Sequence, residues 1–328
     1  NNITRATALL PPNPSTVIDH NQFTPFSTAS TAGKTNLAAL IKELRQITSA
    51  PIGECKKALT AEGVDHDVSK AIDWLRSHGS ARASSKVAGR ETTEGLVGIC
   101  LSPDNSTNAT ASLVKIAAET DFASRNQSFG SVVESIAKTI LRSGESDVEK
   151  VPSMTTEENK TVKETLDELI LAIRENLSLK ECTLLETKKE GSAFVGYVHG
   201  KAPGATRAGT SAAVVELWSS RSDKEDLDKV GKALAMHVVA AKPEYLSIED
   251  VPKEIVEKEK SILMEQVADS GKPANILEKM INGKMRKFYQ EICLLEQSHM
   301  LEEGNPVVSK FLKGKGIEIL SFKSISVK

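Results

Sequence analysis

The chain has 328 residues, 39% hydrophobic and 26% charged, which is material for two or three compact units of ordinary composition. Its net charge of −2 leaves no basic field over the whole molecule for a phosphate backbone, so nucleic acid is not an expected partner. The longest uncharged apolar stretch beside a motif, Leu234 to Ala241, falls far short of the roughly 20 residues of a membrane span, and a soluble protein without a membrane partner is expected.

Residues 1–36 are rich in Ser, Thr, Asn and Pro, with Arg5, Asp19 and Lys34 as their only charges. They lack helical or strand period and are expected to be disordered. Their hydroxyl-rich, acid-poor composition is that of an organellar transit peptide, a plain flexible tail being the alternative.

From Leu37 the pattern becomes helical: Leu37, Leu40, Ile41, Leu44 and Ile47 share one face. Ser49 followed by Pro51 predicts an N-cap for a second helix running through Cys55 and Leu59 to a stop at Gly63. Asp65 is expected to cap a third, with Val68, Ala71, Ile72 and Leu75 inward and Gly79 as its end. A three-helix module over 37–79 results, followed by a polar, partly basic linker over 80–94.

A degenerate repeat follows, its copies about a hundred residues apart. The first has strands over Gly95–Leu101 and Ser112–Ile116 and a helix with Phe129, Val133, Ile136 and Ile140 on one face, within a first subdomain over 95–143. The second has strands over Phe194–His199 and Ala213–Trp218 and a helix with Leu227, Val230, Leu234 and Val238, within a second subdomain over 163–250. Between them an acidic, flexible linker (144–162) precedes a helix with Leu166, Leu169, Ile170, Ile173 and Leu177 and a short strand around Cys182 to Leu185. A helical hairpin arm is predicted over 251–298, turning at Gly271-Lys272-Pro273, and a strand over Ile317–Val327 lies within the C-terminal segment 299–328. The predicted fold is α+β, with antiparallel-sheet-plus-helix units duplicated around one core.

Signals for chemistry are weak. Gly33-Lys34-Thr35 resembles the end of a phosphate-binding loop, but position 28 is Thr28 and no strand precedes it. Gly314-Lys315-Gly316 reads as a turn. The six histidines and four cysteines are scattered, without metal-ligand or CxxC spacing, so neither metal, cofactor nor catalytic residue is assigned. A Cys–His pair meeting in space stays open as an enzymatic alternative, although His237 on a helix and His199 in a strand read first as structural residues.

The segment Glu119-Thr120-Asp121-Phe122-Ala123-Ser124-Arg125-Asn126 differs in kind. It joins strand to helix in the first repeat, where the second has only Ser219-Ser220-Arg221-Ser222-Asp223. Exposing Phe122 there would forgo about 2 kcal/mol of burial. Either the ring turns into the core and Thr120 or Asp121 caps the helix, or the connection carries function.

These residues resemble elongation factor Ts, in its organellar branch. The resemblance covers about 37–327 and rests on Cys55-Lys56-Lys57-Ala58-Leu59, on Glu119 to Ala123 with Arg125-Asn126, and on Tyr197-x-His199-Gly200. Ala235-Met236-His237-Val238-Val239-Ala240-Ala241-Lys242-Pro243 and Ser270-Gly271-Lys272-Pro273 complete it. It implies a ubiquitin-associated-like first module and a guanine-nucleotide exchange factor for the translation GTPase elongation factor Tu, bound in its GDP-loaded and nucleotide-free forms, in the mitochondrial matrix or a plastid. It implies partner contacts at Arg45, Pro51 and Ile52, an exchange wedge at Thr120, Asp121, Phe122, Ala123, Arg125 and Asn126, and further contacts at Tyr197, His199, Gly200 and His237. The chain departs from the family at Ser124, where an alanine-like residue is usual, at Gly53 in place of a large apolar contact, and in an abbreviated tail after Phe322. The rival from another class is an adaptor that binds ubiquitin-like proteins through the first module.

Overall fold

The computed structural model describes residues 36–102, 109–219, 224–268 and 273–327. The expectations for residues 1–35, for the loop at Asp104-Asn105, for Ser220 to Asp223 and for the turn at Ser270-Gly271-Lys272 fall outside them.

Three short helices come first: α1 (Leu37–Thr48), α2 (Ile52–Leu59) and α3 (Val68–Trp74). Leu44, Cys55, Ala58, Leu59, Ala71 and Leu75 close their common core. Both caps lie two residues beyond where the sequence puts them. Ser49, at φ 54°, ends α1 in the left-handed region instead of capping α2, whose N-cap is Pro51. Asp65 and His66, at φ 52° and 63°, make the reversal, and the cap of α3 is Asp67, whose Oδ1 accepts from Lys70 N at 2.9 Å. Ile47, predicted on the inner face of α1, is 59% exposed.

Gly79 does not stop the third helix. A π-type turn over Leu75–Gly79 carries the chain straight into α4 (Ser80–Val87), so the expected linker begins as a helix. Gly79 is buried in helical geometry, and a Cβ there would lie 3.0 Å from Leu75 Cδ2 and 3.5 Å from Leu171 Cδ2. The missing side chain serves close packing, a role that local sequence cannot tell from termination. Val87 then enters the main core, and Ser84 Oγ donates to Asp167 Oδ1 at 2.5 Å.

The core has two antiparallel sheets. In the first, β1 (Glu94–Leu101) is flanked by β2 (Thr110–Ala118) and the short β5 (Ala208–Gly209), and β3 (Leu177–Glu186) lies outside β2. In the second, β6 (Ser211–Ser219) lies between β4 (Ala193–His199) and β7 (Ile317–Ser326). The apolar run of β1 is explained by burial on both faces. Leu96 joins the helix-side core, while Val97 and Ile99 meet Phe194, Val198 and Val214 between the sheets. Helix α6 (Gln127–Ser143) covers the first sheet and α8 (Lys224–Ala241) the second. The layers are helix, sheet, sheet, helix, and the repeat is a structural one.

Several boundaries move. The helix α7 (Val162–Ile173) and the ten-residue β3 belong to the first sheet, not to a unit opening at residue 163, because β3 pairs along the whole of β2. Leu177, read as helical, begins that strand. The stretch expected to be a flexible linker is tied down at fully buried Val151 and by the bridge between Thr155 and Thr161. Its acidic composition hid that apolar anchor. The arm is α9 (Lys253–Ala268) against α10 (Ala274–Ile292), closed by Leu263, Ile281 and Met285. It ends at Ile292 instead of continuing to 298, since Cys293 pairs with Tyr245. Gly314 and Lys315 lie in a further helix, α11 (Val308–Lys315), ended by Gly316 at φ 69°.

Each repeat presses helix onto sheet through one glycine, on opposite partners. Gly98 of β1 meets Val133 of α6, and Gly231 of α8 meets Val195 of β4, where an added Cβ would sit 2.6 Å from Val195 Cβ. Gly231→Ala is therefore expected to lower stability by about 1–3 kcal/mol, although alanine is the better helix former. A denaturant midpoint at or above wild type would show that the sheet yields without cost.

Candidate functional site

The Phe122 connection is a single helical turn, α5 (Asp121–Ser124), between β2 and α6. It is held from below and from both ends. Ala123 is buried in the first core, Asn126 caps α6 by accepting from Ser128 N at 2.9 Å, and Ser124 Oγ donates to Gly95 O at 2.8 Å. Gly95, at φ 143°, has no room for a side chain, since a Cβ would meet Ile116 O at 2.2 Å. The departure at Ser124 thus has structural work.

Thr120 stands at the N-cap of α5, but its side chain makes no capping bond. Its backbone N–H and hydroxyl both donate to the carboxylate of Glu175, at 3.0 and 2.8 Å. Glu175 lies in the turn between α7 and β3, where Arg174 at φ 63° redirects the chain. The β2–β3 ladder ends at Ala118 opposite Leu177, and its register, continued, sets Glu119 opposite Asn176 and Thr120 opposite Glu175. There carboxylates replace carbonyls: Glu119 Oε1 accepts from Asn176 N at 2.6 Å, as Glu175 accepts from Thr120 N. Arg90, leading from the helical module to β1, reaches Glu119 at 3.4 Å, and its carbonyl accepts from Asn176 Nδ2 at 2.8 Å.

With its surroundings fixed, the ring of Phe122 stands out, 72% exposed. The alternative in which it turns into its own core does not occur. Arg125 pairs with Asp121 at 2.9 Å and carries its guanidinium 5.5 Å from the Phe122 ring centroid, an exposed cation–π contact. Of the six residues grouped as a wedge, Asp121, Phe122 and Arg125 face solvent, while Thr120, Ala123 and Asn126 hold the turn.

One of the other predicted contacts falls beside this turn. Gly200 lines a cleft of about 570 Å³ with Asp121, Ser124, Arg125, Lys201 and Lys242. Arg45, Pro51 and Ile52 line a second hollow of about 350 Å³ that also contains Arg174, the neighbour of Glu175 in the chain. Ile52 is 58% exposed there. Tyr197 and His199 form their own pair on β4, with the hydroxyl 3.3 Å from Nδ1.

His237 is no surface contact. It is buried, its Nε2 pairs with Gln297 Oε1 at 3.0 Å, and its Nδ1 accepts from Met300 N at 3.3 Å. Burial holds its pKa below the usual imidazole value, against a smaller opposing effect of Gln297. Beside it His299, with ring centroids 5.3 Å apart, is also fully buried, and its Nε2 has no partner. Burial and the neighbouring His237 push the pKa of His299 down to about 4.

The four cysteines are free. Burial raises all four thiol pKa values, to about 12 at Cys182 and about 11 at Cys293, leaving none poised as a thiolate. Among the described residues no cluster of three or more His, Cys, Asp or Glu could hold a metal, and no helix is long and apolar enough to cross a membrane.

The sequence signals had no means of finding Glu175, Asn176 or Arg90, because each acts on a segment 29 or more residues away.

Comparison with known proteins agrees with this architecture. Residues 119–328 match the family described as Elongation factor TS. The chain is 38% identical over 287 residues to elongation factor Ts of Gluconobacter oxydans, covering 87% of this chain and 90% of that protein. It is 39% identical to that of Rhodospirillum rubrum, over 86% of this chain and 87% of the relative, and 40% identical to that of Paramagnetospirillum magneticum, over 86% of each. Fold and relatives define the class, a translation elongation factor of α+β architecture. Within it, the chain belongs to the elongation factor Ts family.

Proposed function

We propose that this chain is a guanine-nucleotide exchange factor for elongation factor Tu and that the Asp121-Phe122-Arg125 turn is its working surface. The observation that carries the reading is the ring of Phe122, held out to solvent by a turn whose neighbours are all fixed. A large ring costs free energy in water and recovers it when a partner covers it.

The mechanism needs no acid, base or covalent step. If the chain binds the nucleotide-free GTPase more tightly than the GDP-bound form, linkage requires that it weaken GDP by the same factor. Phe122 acts as a wedge that displaces a switch element. Asp121 brings negative charge towards the Mg²⁺-phosphate site, where the ion's own charge makes the balance sensitive. Arg45, Pro51 and Ile52 supply docking free energy in addition to the wedge, as do Tyr197, His199 and Gly200. The first three helices act as a ubiquitin-associated-like docking module, and the hydroxyl-rich composition of residues 1–36 supports a mitochondrial matrix location, with a plastid as the second choice.

Release of labelled GDP from elongation factor Tu, with and without this protein, tests the reading. Acceleration is expected; unchanged release would sink the exchange function. The adaptor alternative separates on the same turn, because binding of ubiquitin-like proteins through the first module would survive Phe122→Ala.

A further inference from the structure

We propose that Glu175 is a positioning residue for exchange: its carboxylate extends the β2–β3 pairing past its last backbone rung and so fixes the direction in which Phe122 points. The inference rests on the wedge reading above and adds to it a residue outside the wedge motif.

The backbone pairing ends at Ala118, with α5 following β2 on one side and α7 preceding β3 on the other. Thr120, in extended geometry at φ −131° and ψ 161°, lies past the last backbone pair, and its N–H at the foot of the exposed turn is taken by a side chain instead of a ladder carbonyl. The Glu175 carboxylate spans the gap and takes both donors of Thr120, N–H at 3.0 Å and hydroxyl at 2.8 Å. Two bonds to one planar acceptor fix orientation as well as distance, and bonds to a charged acceptor are the stronger kind. Glu119 does the converse for Asn176 N, so two carboxylates exchange amides across the same two positions. Thr120 is two residues from Phe122, and Asp121 between them starts the helical turn, so a rotation at Thr120 is passed directly to the ring. Arg90, between α4 and β1, and Asn176, just before β3, join the same cluster. Arg174, the neighbour of Glu175 in the chain, lines the hollow that holds Arg45 and Ile52.

Glu175 touches Thr120 and not the exposed ring, so it acts through the turn. Glu175→Ala is expected to reduce acceleration of GDP release about tenfold, the worth of a charge-assisted bond pair. Glu175→Gln keeps one acceptor oxygen for two donors and is expected to recover part of the loss. In a Phe122→Ala background, Glu175→Ala should have little further effect, because its influence passes through the ring. In the free protein, amide hydrogen exchange at Thr120 should quicken in Glu175→Ala while the strands of both sheets keep their protection.

Each result decides something. Unchanged exchange at Thr120 overturns the positioning role whatever the activity. Faster exchange with undiminished GDP release, or losses that simply add in the double variant, also overturns it and leaves the wedge reading standing. An inert Phe122→Ala sinks the wedge reading and the positioning role with it, and the amide exchange then reports a structural clamp only.

Discussion

Phe122→Ala should lower the acceleration of GDP release about thirtyfold while leaving the fold intact. The ring is 72% exposed in the free chain, so its removal costs little internal packing, and the unfolding free energy should stay within the range of neutral surface changes, about 0.5 kcal/mol. In a complex, covering a phenylalanine ring is worth about 2 kcal/mol, and each 1.4 kcal/mol is a factor of ten. Partner binding and exchange should fall together, since by linkage the free energy that holds the nucleotide-free form is the same that weakens GDP. Arg125 and Asp121 are secondary: their pair is exposed, and removing it should change the ring's preferred angle more than the affinity. A Phe122→Ala protein that accelerates release as well as wild type would remove the wedge from the mechanism and leave exchange to the flanking contacts.

The second large effect is on stability in acid and comes from the buried histidines. His299 titrates near 6.5 when unfolded and near 4 when folded, because burial and His237 disfavour its charged form. Between those values the unfolded chain holds a proton that the folded one refuses, so stability rises with pH. It is fully present above about 6.5 and is lost as pH falls towards 4, by about 3 kcal/mol from this group. His237, with its pKa lowered by burial, acts in the same sense. The consequence is local as well as global. The Nδ1 atoms of the two rings accept from Met300 N and Leu301 N at 3.3 Å each, and protonation removes both acceptors. His299→Phe keeps a ring against Phe311, whose centroid lies 5.1 Å away, and deletes the unpartnered Nε2. It is expected to flatten the acid limb between pH 6.5 and 4 in a series of denaturant titrations. A limb as steep as wild type would place the acid sensitivity elsewhere, in the carboxylates.

The sequence read most clearly where one chain segment decides its own state. The 3.6-residue period in α6 and α8, and the placement of Asp121-Phe122 between a strand and a helix, needed no knowledge of the rest. The punctuation was less legible. Glycine at position 79 and serine at position 49 each have two uses in a helix, and which one applies depends on Leu171 and on the turn to Pro51. His237 looked equivocal because an amphipathic helix with small residues all round does not declare which face is covered. Gln297 and Met300, 60 or more residues on, decide that it faces inward.

The sequence alone was enough for the strongly periodic helices, the duplication and the residues of the exposed turn, because period and repetition are local properties of the chain, but not for α4 and α11, which were expected as linker and turn. Only the tertiary structure decided that Phe122 points outward, that β3 pairs with β2 and that Glu175 holds Thr120. The last two are contacts between segments far apart in sequence, whose free energy exists only after the sheets have closed, and the exposure of Phe122 depends on the packing around its turn.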